Sequence, residues 1–237
     1  MPTPTDPLEL MRLHVQTNFR FDGGGRLLST NEEPPFLAPR MFLGRTAGGN
    51  IWHLRHDLPD EQAENLAALL GREPPLGVPG EEPACLAQAI VILARDLPVT
   101  AIHRGPAFVF EVSPEPGGGL VRLDSADVAR FHPQLREVGW AEITASQQPC
   151  FGIEAEGAIV AICHSSRSSA KAAAAGVDTA TDYRRRGFGR RVVEAWAAEV
   201  MAGGRTAFYS TTWDNAASRA IAGGPGLRFF AEDCHIT

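Results

Sequence analysis

Between Val177 and Val193 the chain reads VDTATDYRRRGFGRRVV, and most of its legible chemistry lies there. Arg184, Arg185, Arg186, Arg190 and Arg191 crowd around Gly187 and Gly189. The residues before this cluster read as a strand. Those after it read as a helix, because Val193, Trp196, Ala197 and Val200 recur at i, i+3, i+4 and i+7. The first turn of a helix has backbone N–H groups without partners and carries the positive end of the helix dipole. Gly187 and Gly189 allow a ligand to approach the backbone with no Cβ in the way. Guanidinium charge is added at the same point. Such a turn suits an anion, and a pyrophosphate is its natural guest.

Three kinds of pyrophosphate turn can be compared with it. A Rossmann fingerprint needs G-x-G-x-x-G and an acidic residue about 20 positions on, but Val192 stands where the third glycine belongs and no such acid follows. A Walker loop needs Gly-Lys-Ser/Thr, which is absent. The third, [RQ]-x-x-G-x-[GA], is matched by Arg184, Gly187 and Gly189. Downstream, Gly203-Gly204 stops the helix and Thr206–Thr211 reads as a strand. Asn215 then caps a short helix over Ala216–Ala222, glycines break it, and Leu227–Ile236 reads as a last strand.

With Val177 and Thr179 before the turn, and Asn215, Ser218, Ile221, Gly226 and Leu227 after it, this order resembles the C-terminal half of the GNAT N-acetyltransferase superfamily. The resemblance implies an α/β (α+β) GNAT fold, a central mixed, mostly antiparallel sheet flanked by helices, with an extra N-terminal α+β region here. It implies an acyl-CoA-dependent N-acyltransferase that uses acetyl-CoA or another acyl-CoA. The acceptor would be an amine of a small molecule or peptide. It also implies the cofactor contacts. Val177, Asp178 and Thr179 would follow the pantetheine arm. Arg184, Arg185, Arg186, Gly187, Phe188, Gly189 and Arg190 would hold the pyrophosphate. Asn215 and Ser218 would line the far side of the arm.

Transfer from a thioester to an amine needs a polarised carbonyl, a base for the amine proton and an acid for the leaving thiolate. A backbone N–H near Val177 is implied for the oxyanion. Many GNAT proteins carry a Glu on the strand before the turn, but Lys171–Ala175 here is KAAAA. The candidate bases are His164 and Asp178, with Glu154 nearby. His164 has a suitable ordinary pKa. Asp178 alternates with Val177 and Thr179 and so faces away from them. The plainer readings are a solvent-facing histidine and a loop-bonding carboxylate. The Tyr that many relatives place seven residues after the capping Asn is replaced by Ala222, which leaves Tyr209 as the candidate acid. These departures support an alternative function, an acyl-CoA-binding sensor or interaction module without turnover.

These residues require elements to position them. Cys150–Glu154, Ala158–Ser165 and Ala170–Thr179 read as a strand meander, with a hairpin turn at Ala155-Glu156-Gly157. Upstream, Ala107–Val112 reads as a strand and Asp124 caps a helix through Leu135. Further back come a helix over Ala84–Ala94, a helix from Asp57 to Leu70, and strands at Met41–Arg45 and Ile51–His56. Leu8–Phe21 shows no clean period. Glu73–Pro83, EPPLGVPGEEP, reads as a linker. The expected division is an N-terminal α+β region over 1–82, a connecting helix and linker over 83–104, and a GNAT-like domain over 105–237. The acceptor pocket is expected from residues 120–150 and the C-terminal strands. Phe131 and Trp140 are pocket candidates there, with core packing the favoured reading of each. The N-terminal region would cap the acceptor site or form a homodimer surface.

Composition bounds the rest. Across 237 residues the formal charge is −6, which argues against general nucleic-acid binding. The longest apolar segment, Ala84–Ala94, is too short to span a bilayer, and the N-terminus shows no signal peptide. A cytoplasmic protein without membrane or nucleic-acid partners is expected. Cys85, Cys150, Cys163 and Cys234 are scattered without a C-x-x-C, so free thiols are expected. His53 and His56 point to opposite faces of a strand. No metal site is expected from these spacings.

Overall fold

The computed structural model describes residues 5–137, 146–224 and 226–237, so Trp140 lies outside the described residues. Its first element, α1 (Pro7–Asn18), falls where no clean period was visible. Asp6 accepts the Glu9 N–H at 3.0 Å, and Pro7 fills a first-turn position that needs no N–H. Capping sets this helix, and Leu10, Met11, His14 and Val15 form its buried side.

A two-stranded ribbon follows, β1 (Phe19–Phe21) on β2 (Leu27–Thr30). Next come the hairpin β3 (Met41–Thr46) and β4 (Gly49–Leu54), then α2 (Asp60–Leu70) and α3 (Leu86–Leu93). The chain continues through β5 (Ile102–Phe110) and β6 (Leu120–Arg122). The helix expected over 124–135 is split into a 3-10 turn, Ser125–Arg130, and a short helix α4 (Pro133–Glu137). Pro133 explains the break: it donates no N–H and disfavours the helical conformation at His132. After the described gap come β7 (Cys150–Ala155), β8 (Ala158–Ser168), β9 (Ala172–Thr179), α5 (Phe188–Ala202), β10 (Thr206–Ser210), α6 (Ala216–Ala222) and β11 (Leu227–Ile236).

The fold is mixed α/β, with mostly antiparallel strands and flanking helices. It forms two compact units that interleave along the chain. Among the described residues, the first comprises Val109–Tyr209 and Ala220–Arg228, and the second comprises residues 5–108 with Ser210–Arg219 and Phe229–Thr237. In the first, the strand order is β10-β9-β8-β7-β6, with only the β9–β10 pair parallel. The β7–β8 hairpin turns at Glu156 and Gly157, both at positive φ, as a two-residue primed turn requires. The apolar stripe read on α5 is buried, with Val193, Trp196, Ala197 and Val200 inaccessible, and Trp196 donates to Ser165 Oγ at 3.0 Å.

In the second unit the order is β4-β3-β11-β5. β11 pairs antiparallel with β3, from Glu232↔Arg45 to Ile236↔Met41. The division is thus not linear: the last strand completes the sheet of the N-terminal region. Glu73–Pro83 is not a free linker. The buried Arg45 guanidinium lies 3.3 Å from Glu73 and 3.6 Å from Glu232. Glu73 also accepts the Cys85 N–H at 2.8 Å, and Glu232 accepts that of Gly80. Leu76 N–H donates to Thr46 O at 3.0 Å. These bonds dock the segment, which turns at Val78–Glu81 through the Glu81 N–H on Val78 O at 3.2 Å. All four cysteines are free and buried. No helix among the described residues is long and apolar enough to cross a membrane.

Candidate functional site

The arginine turn takes its form from backbone geometry. After β9 the chain makes one 3-10 turn, Thr181–Tyr183. Arg184 is extended, Arg185 stands at φ 61° and Gly187 at φ 79°. Gly187 is the N-cap of α5 and, having no side chain, makes no side-chain capping bond to the first turn of this helix. A further constraint acts at Gly189. A Cβ there would meet Ile221 Cδ1 at 3.1 Å, Thr179 Oγ1 at 3.3 Å and Val177 Cγ2 at 4.0 Å. Val177 and Thr179 therefore face Gly189 and the start of α5.

The arginines are individually placed. Arg184 donates to Thr179 O at 3.0 Å and lies 3.6 Å from Asp178 Oδ1. Arg186 donates to Asp182 O at 2.9 Å and stacks over the Tyr183 ring at 4.9 Å. Tyr183 in turn donates to Glu156 at 2.8 Å, which raises its phenol pKa. Arg190 donates to Glu194 at 2.8 Å and lies so close to Gly224 that a Cβ there would sit 2.6 Å from its Cζ. Arg191 donates to Gly118 O. Arg185 is exposed.

One edge of β9 is also distinctive. β9 pairs with β10 only through Thr206↔Ala172, Ala207↔Ala173 and Phe208↔Ala174. The pairing with β8 continues to Thr179. Lys171 O accepts from Thr206 on the β10 side, and Ala180 N–H donates to Val160 on the β8 side. Alternation along the strand then puts the Val177 N–H and C=O on the edge that β10 has left. The turn and this edge meet at the start of α5.

Of the candidate catalytic groups, Asp178 lies beside Arg184 at the turn. Ser165 faces α5 through Trp196, and the register Cys163↔Val177 puts Val177 on that face too. His164 lies on the opposite face, 3% exposed, where a Cβ on Gly176 would come within 2.3 Å of its Nε2. Burial pushes its pKa down to about 3, so the ring is neutral. The solvent-facing reading of His164 is overturned: its packing partner Gly176 leaves room for an inward ring. Asp178 accepts the Thr179 N–H at 2.7 Å besides facing Arg184. Tyr209 is 1% exposed on β10. Glu154 is bound by Arg130. Phe131 is core, packed with Leu123, Leu135, Cys150, Ile159 and Ile162. Asn215 and Ser218 belong to the second unit, where Asn215 Oδ1 accepts the Ser218 N–H at 3.0 Å and caps α6 as its residue type predicts. The edge of β9 is the feature that sequence reasoning missed, because the length of a strand pairing leaves no mark in composition.

Residues 152–222 match the family model described as FR47-like protein. No curated protein sequence matches the chain. Among solved structures, a GNAT-family protein from Novosphingobium aromaticivorans is 19% identical, with TM-score 0.47, over 58% of this chain and 65% of its own, so the chain spans less than two thirds of that protein. A GNAT-family acetyltransferase from Colwellia psychrerythraea is 12% identical, with TM-score 0.48, over 100% of this chain and 97% of its own. A GCN5-related N-acetyltransferase-like protein from Streptococcus suis is 14% identical, with TM-score 0.49, over 84% and 85%. That matched segment, similar to the FR47-like family over residues 152–222, holds the arginine turn and the edge of β9.

Proposed function

We propose that this chain is an acyl-CoA-dependent N-acyltransferase, with acetyl-CoA as donor and an amine of a small molecule or peptide as acceptor. The observation that carries the reading is the uncapped start of α5, ringed by arginines, beside the β9 edge that β10 leaves after Ala174. These residues fit the cofactor, because the space beside Gly187 at the start of α5 is open, with no heavy atom within 4 Å of where a Cβ would stand. When bound, acyl-CoA supplies an acyl group already activated as a thioester.

In this reading the Phe188, Gly189 and Arg190 N–H groups hold the pyrophosphate with Arg184, Arg185 and Arg186, and the helix dipole adds to the attraction. Asp178 orients Arg184. The Val177 N–H lies on the open edge, where it can donate to an oxygen that gains charge during transfer. The amine proton passes to water, since His164 is buried and neutral and Asp178 is engaged by Arg184. Those two observations also favour the second reading, an acyl-CoA-binding module without turnover.

Calorimetric titration with acetyl-CoA tests the site, comparing the wild type with an Arg184→Ala, Arg186→Ala, Arg190→Ala variant. Micromolar binding lost in the variant is expected. No binding by a folded wild type would sink the reading. Release of CoA thiol with a panel of amines separates the transferase from the binding module.

A further inference from the structure

A second cluster lies wholly within the other unit. On β11, Asp233 and His235 are two residues apart and share one face of the strand. β5 is the neighbouring strand, and the Thr237 N–H donates to Ala101 O across the pair at 3.0 Å. Two residues in from that bond on each strand, the rings of His103 and His235 face one another with centroids 4.3 Å apart. His103 Nε2 lies 3.1 Å from Asp233 Oδ1, and one ligand atom from each of His103, Asp233 and His235 lies within 4.8 Å of the others.

We propose that His103, Asp233 and His235 bind a divalent transition-metal ion, with zinc the reference case. Two imidazoles and one carboxylate are an established ligand chemistry for such ions, which leave further positions to water or a ligand. Donors about 2.1 Å from one tetrahedral ion stand about 3.4 Å apart, so the His103–Asp233 pair is already near that spacing. The surroundings have the form of an outer shell. His14 Nε2 lies 3.2 Å from the other carboxylate oxygen, Asp233 Oδ2, and Asn18 lies 3.1 Å from the same nitrogen. Outer groups of this kind fix the orientation of a ligating carboxylate. The nearby cation is turned away, since Arg104 is engaged by Glu82 at 3.3 Å and Gly80 O at 3.2 Å. Access is open: the His103 side chain is 31% exposed while Asp233 is buried. The strands supply a rigid frame, and any proton between His103 and Asp233 leaves to solvent as the ion enters.

The test uses the full chain, stripped with chelator and equilibrated by dialysis against zinc. One ion per chain is expected in the wild type. At least a tenfold weakening is expected in His235→Ala, and no change in His53→Ala. Cobalt in place of zinc should give the visible absorption of a protein-bound nitrogen–oxygen site, lost in His235→Ala. Circular dichroism checks that each variant is folded. No stoichiometric uptake by folded wild type, equal uptake by His235→Ala, or equal loss in His53→Ala would overturn the assignment. Acetyl-CoA titration of the same samples reads the arginine turn separately, so failure of one site is distinguishable from failure of the other.

Discussion

At Gly189 the start of α5 has little room for a side chain. A Cβ would press on Ile221 and Thr179, so Gly189→Val is expected to weaken acetyl-CoA binding at least tenfold by calorimetry. Arg184 is aimed by Asp178 and Thr179 O. A hydrogen bond to a charged group contributes about 1.5–3 kcal/mol, so Arg184→Ala should cost roughly ten- to a hundredfold in affinity, and Asp178→Asn less. His164 makes a different prediction. Its folded pKa of about 3 lies below the ordinary 6.5, so the unfolded chain takes up the proton first as pH falls. Its contribution is complete above pH 6.5 and is lost as pH falls toward 3, at about 1.4 kcal/mol per pH unit. Urea unfolding between about pH 7 and pH 5 should therefore show a steeper loss for wild type than for His164→Gln; equal slopes would refute the buried neutral ring. Individual residues were legible where the backbone sets their role. Asn215 as a cap is such a case. His164 was legible only to its strand, since alternation tells which residues share a face but not which face is covered.

Among the elements, β8 and β9 meet most closely, beyond their backbone ladder, where His164 lies over Gly176. A Cβ on Gly176 would lie 2.3 Å from His164 Nε2, too close for any side chain to tolerate unmoved. Gly176→Ala is expected to destabilise by about 1–3 kcal/mol through overpacking, and His164→Ala should relieve much of that cost in a double-mutant cycle read by urea unfolding. Additive effects would show that the two residues do not meet. Helix α5 was legible because its apolar stripe repeats with the helical period over two turns. Helix α1 was not, because its buried side includes His14, Thr17 and Asn18, which blur the period. The segment from Asp124 to Leu135 misled because its cap is real, as the Ala126 N–H on Asp124 Oδ1 shows, while Pro133 breaks the helix further on. The metal ligands proposed above were invisible for a plainer reason: His103 and Asp233 are far apart in the chain, and only strand pairing unites them.

For the molecule as a whole, charge distribution makes a prediction of its own. The chain carries a net −6 and yet gathers five arginines in one turn. Acetyl-CoA affinity should fall as salt rises from about 0.05 M to about 0.5 M, because the Debye length shortens from above 10 Å to about 4 Å. A salt-independent affinity would point away from the arginine turn. The expected division into consecutive segments was read from a proline-rich stretch, and composition alone does not tell a docked strap from a free linker. The Arg45–Glu73–Glu232 network makes it a strap. Pairing of β11 with β3 also bears on biosynthesis. A ribosome delivers β3 early and β11 after every other strand of that unit. Until then, the β3 edge with Met41, Phe42 and Leu43 has no partner on that side, and the growing chain must keep an apolar strand edge from pairing with a neighbour. The interval between those two strands, rather than any single contact, sets how long the nascent protein depends on protection.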